Sequence, residues 1–166
     1  MPKLIKDAKI IDNQWSMLEA SDTPTDALIP AGNVIVPLNV WQSKKADLAN
    51  RAGEIGVWLS SNEFAEELVD DVENLPLIAL HFATFMDGRA FSTARLLRER
   101  FGFTGELRAS GAIIRDQLCY LRRCGVNAFH FTDASINLEG ALESLDDFSD
   151  GYQTSVEQKT PLFRRR

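Results

Sequence analysis

Cysteine is nearly absent from this chain. Cys119 and Cys124 are the only two in 166 residues, whereas an iron–sulfur cluster takes about four protein ligands. They stand five positions apart on one expected helix, about 140° apart around its axis. A disulfide within that helix is therefore geometrically unfavourable, and two buried, reduced thiols are expected. Histidine is as scarce. His81 and His130 lie in separate apolar runs, with no HxH or HExxH spacing to suggest a metal. They read as hydrogen-bonded core histidines, and no metal site is expected. The chain has no GxGxxG, no GxxxxGKS/T, no GxSxG and no CxxC. The usual dinucleotide, P-loop, hydrolase and redox fingerprints are thus missing, and no cofactor is expected. No apolar run approaches the roughly 18–20 residues of a membrane helix. The opening MPKLIKDAKIIDNQW lacks the apolar core of a secretory signal, so a soluble, cytoplasmic protein is expected. Positive charge is also in deficit, with 18 Lys and Arg against 24 Asp and Glu and a net charge of −6. That balance argues against general nucleic-acid or anionic-membrane binding.

What positive charge there is has been concentrated. Eight of the twelve arginines fall between Arg89 and Arg123, against only Glu99, Glu106 and Asp116, a local net of +5. Residues 1–88 carry −8 and residues 124–163 carry −6. A cationic segment inside an anionic chain is the first place to look for an anion or a partner. Arg95, Arg98, Arg100, Arg122 and Arg123 are expected to dress helix exteriors and ends.

The length fits one domain, and the 45% hydrophobic content supports an ordinary core. Residues 1–150 read as that domain. Within it, residues 3–18 read as a small antiparallel hairpin and 20–32 as a connector rich in turn formers. Residues 151–166 lose periodicity and read as a tail. Five apolar runs follow the connector: Val34–Leu38, Gly56–Leu59, Leu77–Phe82, the weaker Glu106–Ala109, and Ala128–Phe131. Pro37 should end the first strand or place it at an edge. Helical stretches separate the runs. Ser43 is the expected cap of a helix stopping at Gly53. Asn62 is the expected cap of EFAEELVDDVE, with Phe64, Leu68 and Val72 as an i, i+4, i+8 stripe. Phe91, Leu97 and Phe101 mark a helix stopping at Gly102. Ile114, Leu118 and Leu121 mark one stopping at Gly125. Ser135 is the expected cap of a last helix with Leu138, Leu142, Leu145 and Phe148 inward. Alternating strands and helices predict an α/β fold of about five βα units around a mostly parallel sheet. Two arrangements satisfy this: an incomplete TIM-like barrel or an open doubly wound sheet. In the barrel, an exposed edge needs covering by the N-terminal hairpin or by a second subunit, and a homodimer is one expectation.

Active sites on parallel sheets lie beyond the C-terminal strand ends. Asp87-Gly88-Arg89 is the most suggestive group expected there. Gly88 would allow a positive φ. Arg89 could grip a carboxylate, phosphate or sulfur oxyanion with two prongs, and a helix starting near Ser92 would add free N–H groups. Asp87 and Arg89 are thus the candidate catalytic pair. Arg89, Ser92, Ser110, Gly111 and Arg115 are the candidate anion-binding residues. The structural alternative is a turn in which Asp87 caps and Arg89 pairs with an acidic neighbour.

The run Phe85-Met86-Asp87-Gly88-Arg89-Ala90-Phe91-Ser92, with Ala94-Arg95-Leu96-Leu97-Arg98, Gly105-Glu106-Leu107-Arg108-Ala109, Arg115-Asp116-Gln117-Leu118 and Leu121-Arg122-Arg123-Cys124-Gly125, resembles an uncharacterised bacterial family. That family is described as an oxidoreductase or accessory protein of sulfite reduction, because its genes lie beside those for sulfite reductase and sulfate assimilation. The resemblance is tightest from about residue 77 to 131 and brings no catalytic residues with it. It implies an accessory protein of assimilatory sulfite or sulfate reduction that binds a small oxyanion or the reductase. Two alternatives stand beside it: an enzyme acting on a small anionic substrate at the strand C-termini, and an oligomeric scaffold. Six-electron reduction of sulfite relies on cofactors such as haem-type groups and iron–sulfur clusters. A chain with two cysteines is better suited to assist a reductase than to replace it.

Overall fold

In the computed structural model, residues 2–48 and 51–165 are described. The chain forms a mixed α/β fold built on one eight-stranded, mostly parallel sheet curled into a half-barrel. Strands β1 (Lys3–Lys6) and β2 (Lys9–Asp12) form the expected hairpin. Its turn places Asp7 and Ala8 at φ 48° and 57°, the left-handed pair that a tight two-residue hairpin needs. β3 (Trp15–Met17) does not fold back on β2. It continues outward and pairs in parallel with β4 (Asn33–Pro37). β5 (Ile55–Leu59), β6 (Leu77–Phe82), β7 (Glu106–Gly111) and β8 (Ala128–Phe131) follow in parallel. The hairpin closes the far edge, β1 lying antiparallel to β8.

The strand order is β2-β1-β8-β7-β6-β5-β4-β3. From β4 to β8 it follows the sequence without the reversal that defines a doubly wound sheet. The two sheet edges, β2 and β3, are separated only by Asn13 and Gln14. Three Cα steps span at most about 11 Å, so the sheet must curl until its edges nearly meet.

Side chains alternate between the two faces. On the convex face Val36, Val57, Ile78, Leu80, Leu107, Ala109 and Phe129 pack into one large core with the helices. On the concave face Ile35, Trp58, Leu77 and Ala79 form a separate small cluster with Trp15 against it. Helices α1 (Leu38–Leu48), α2 (Arg89–Glu99), α3 (Leu118–Arg123) and α4 (Leu138–Glu143) cover the convex side. Full burial of Leu97 or Leu121 stabilises by about 1.5–3 kcal/mol each.

Several local expectations are corrected. α1 begins directly after Pro37, so Ser43 lies inside it and bonds back to the Asn39 carbonyl at 2.7 Å. Ala49 and Asn50 of that expected helix lie outside the described residues, as does Arg166 of the tail. Residues 62–73 form no α-helix, only a 3-10 segment over Ala65–Leu68 and turns, with Phe64 exposed. The connection from β5 to β6 is therefore irregular. α4 is capped by Asn137, whose side chain accepts from Glu139 N and Gly140 N, and not by Ser135. Phe148 faces solvent. Cys124 is buried but Cys119 only half so, and both are free. The final segment packs back on the body, where Val156 N donates to the Arg123 carbonyl and Arg165 pairs with Asp150. No helix among the described residues is long and apolar enough to cross a membrane.

Candidate functional site

The expected rim turn exists, but its cation is engaged. Arg89 Nε and Nη2 donate to the two Asp87 carboxylate oxygens at 2.9 and 2.6 Å, and Nη1 donates to Asn62 Oδ1 at 2.7 Å. The Arg89 backbone N–H adds a bond to Asp87 Oδ1. This fork holds the Asp87 carboxyl well below the usual carboxylate range and raises Arg89. An incoming anion must compete with Asp87 for the guanidinium. Gly88 has φ −85°, so no left-handed conformation is required of it. α2 begins at Arg89, which places Ser92 on its exposed first turn.

Gly111, Arg115 and Ser110 come from other elements than this turn. Gly111 ends β7 at φ 102°, and a Cβ there would strike the Phe82 carbonyl oxygen. Arg115 opens a 3-10 turn on the exposed surface. Ser110 is not in a loop. It lies within β7, buried, on the concave face.

Ser110 belongs to a polar array inside the barrel. Glu106, Arg108 and Ser110 alternate along β7. Arg108 is 3% exposed and lies on Glu106, its Nη2 at 2.5 Å and Nε at 2.7 Å from Glu106 Oε1. Lys6 Nζ takes the other Glu106 oxygen at 2.8 Å. Arg108 Nη1 donates to Asn13 Oδ1 at 3.2 Å across the closing segment. The register sets His81 and His130 on either side of Ser110. His81 packs edge-on to Trp58 with centroids 5.4 Å apart, and its buried Nδ1 has no hydrogen-bond partner. It is thus not the hydrogen-bonded core histidine expected. Burial lowers the pKa of both imidazoles, and Arg108 lowers that of His130 further. Both are neutral near pH 7. A cavity of about 210 Å³ lies here, lined by Asn13, Trp15, Met17, Arg108, Ser110 and His130 among others. Among the described residues no three His, Cys, Asp or Glu side chains gather as a metal site would need.

The sequence model of a family described as "Bacterial protein of unknown function (DUF934)" matches residues 56–163. The chain belongs to this family. No curated protein matches it. The DUF934 segment contains the Asp87–Arg89 turn and, in the barrel, His81, Glu106, Arg108, Ser110 and His130. Lys6, Asn13, Trp15, Met17 and Ile35 precede it, so the barrel cavity draws on residues from both sides of the matched boundary.

Sequence reading passed over Glu106, Arg108 and Lys6 as site residues. The signal was present in Glu106-Leu107-Arg108-Ala109-Ser110, a strict polar–apolar alternation that puts three polar side chains on one face of a strand. Their meeting with Asn13 required knowing that the N-terminal segment closes the barrel.

Proposed function

We propose that this DUF934 protein is an accessory protein of assimilatory sulfite and sulfate reduction, docking on sulfite reductase or another enzyme of that pathway. The fold is read as an incomplete TIM-like barrel, whose C-terminal strand ends carry the function. The observation behind this reading is the apolar character of that rim. Phe64 after β5, Phe85 and Met86 after β6, and Ile114 after β7 are 68%, 53%, 81% and 38% exposed. These loops are neighbours, since Arg89 bonds Asn62 and Gln117 Nε2 donates to the Phe85 carbonyl at 2.8 Å. A cluster of exposed large apolar groups with a polar border is what a protein-docking surface presents. The family resemblance supplies the pathway.

Tagged protein from cells growing on sulfate should retain the reductase or a neighbouring enzyme of the pathway. Phe85→Asp with Met86→Asp should release it without lowering thermal stability. A deletion strain should need sulfide or cysteine to grow. Normal growth of that strain on sulfate alone would sink the pathway assignment. A second reading, an enzyme for a small anionic substrate, draws on the polar residues at the strand ends. In that case Asp87→Asn and Arg89→Ala should abolish turnover in a folded protein.

A further inference from the structure

The barrel interior carries an inference that is independent of the rim. We propose that it binds a small amphiphilic anion: a single carboxylate or sulfonate head held by Arg108, Ser110 and His130, on a short apolar body held by Trp15, Met17 and Ile35.

Size sets the first limit. The cavity of about 210 Å³ has room for about seven waters at ~30 Å³ each, less than a drug-sized ligand needs. Charge sets the sign. One carboxylate, Glu106, lies between two cations, Lys6 and Arg108. A guanidinium has five N–H donors, and Glu106 and Asn13 engage Nε, Nη1 and Nη2 once each. One N–H on each terminal nitrogen is left over, on a side chain that is 3% exposed and lines the cavity. Water therefore screens Arg108 little, and its field reaches His130. An anion between the two would be stabilised by both. Ser110 supplies a third contact. Its hydroxyl faces only Met17 Sδ, at 3.8 Å, a weak acceptor that a carboxylate would displace. Apart from Asn13, whose amide oxygen is taken by Arg108, the remaining wall is apolar, which favours a ligand with a body over a bare inorganic ion. A neighbouring groove of about 430 Å³ shares Pro2 and His130 with the cavity and runs past Lys3. Asp133, the carboxylate on that groove, accepts from the Ser135 backbone N–H at 2.8 Å.

The test uses the full chain and three probes: 3-(methylthio)propanoate, its neutral amide, and sulfite. Binding is followed by tryptophan fluorescence and by the His130 imidazole resonances. The carboxylate should saturate the protein and raise the pH at which His130 titrates, because it offsets the field of Arg108. The amide should bind at least about tenfold more weakly, the loss of a charge-assisted contact. Ser110→Ala should weaken binding severalfold, and Ser110→Leu, which fills the cavity, should abolish it. Equal binding of acid and amide would overturn the proposal. So would sulfite binding as tightly as the larger acid, an unmoved His130 at saturation, or no saturation below about 10 mM. Undiminished binding by a folded Ser110→Leu protein would also overturn it.

Discussion

Among the arginines, charge counting gave the wrong ranking. Arg98, expected on a helix exterior, donates to the carbonyls of Gly125, Phe103 and Gly105 and to Asn127 Oδ1. It ties α2 to the segments that lead into β7 and β8. Arg108, in the least convincing strand of the sequence, is the most buried cation of the barrel. A residue count cannot separate these roles, because burial depends on which face of which element each arginine occupies. The Glu106–Arg108 pair makes a sharp test. Glu106→Gln leaves a buried guanidinium without its counter-charge and should cost about 3–5 kcal/mol in urea denaturation. Replacing both partners, Glu106→Leu with Arg108→Met, should cost much less, since a well-packed apolar pair can replace a buried ion pair. The histidines make another. Their pKa values in the folded protein lie below the ordinary 6.5, so the unfolded chain binds more protons below that pH. Their contribution is intact above about pH 6.5 and is lost as pH falls through the lower folded values. Stability measured from pH 7.5 to 5 should fall, and His81→Gln with His130→Gln should flatten the slope.

Strands and helices differ in how much the local sequence determined them. The five parallel strands from β4 to β8 lie where apolar runs placed them, because their buried convex-face positions are filled mostly by Val, Ile, Leu, Phe and Ala. Helix extents were harder to read. Residues 62–73 have an apolar stripe but also Glu63, Glu66, Glu67, Asp70, Asp71 and Glu73 with no basic residue among them. Like charges at i, i+4 repel in a helix. Asp71 has a better use, accepting from the Trp41 indole at 2.8 Å and pairing with Lys45. Tertiary bonding thus replaced a helix that the stripe alone would support. For α4 two caps were available two residues apart, and only the structure distinguishes them. Asn137→Ala should destabilise by about 1 kcal/mol. Ser135→Ala should cost less, because the Ser135 side chain bonds only the exposed Asp133 carboxylate and no helix N–H. Equal effects in chemical denaturation would contradict this assignment.

For the molecule as a whole, the least legible feature was closure. A parallel run from β4 to β8 leaves two open edges, and a hairpin can cover only one. The chain solves this by letting residues 9–17 serve both ends: β2 pairs with β1 beside β8, and β3 pairs with β4. Trp58 Nε1 donates to the Leu18 carbonyl and Leu18 N to the Ile35 carbonyl, which fixes the second half. No short-range pattern reports that two consecutive strands lie at opposite edges of one sheet. The consequence is a testable dependence of the DUF934 segment on what precedes it. Removing residues 2–18 would strip the antiparallel cover from β8 and the parallel cover from β4. It would also open the Ile35, Trp58, Leu77 and Ala79 cluster to water. Exposed strand edges next to apolar surface recruit other chains, so the truncated protein should form concentration-dependent oligomers or precipitate in light-scattering measurements. A milder change separates closure from bulk. Asn13→Ala and Trp15→Ala keep the segment but remove its hold on Arg108 and its packing in the barrel. Their protein should remain folded with lowered stability, and amide exchange should quicken in β3 and β4 before the interior strands β6 and β7. Uniform acceleration across the sheet would mean that the segment is a full part of the cooperative core and not a strap laid across its opening.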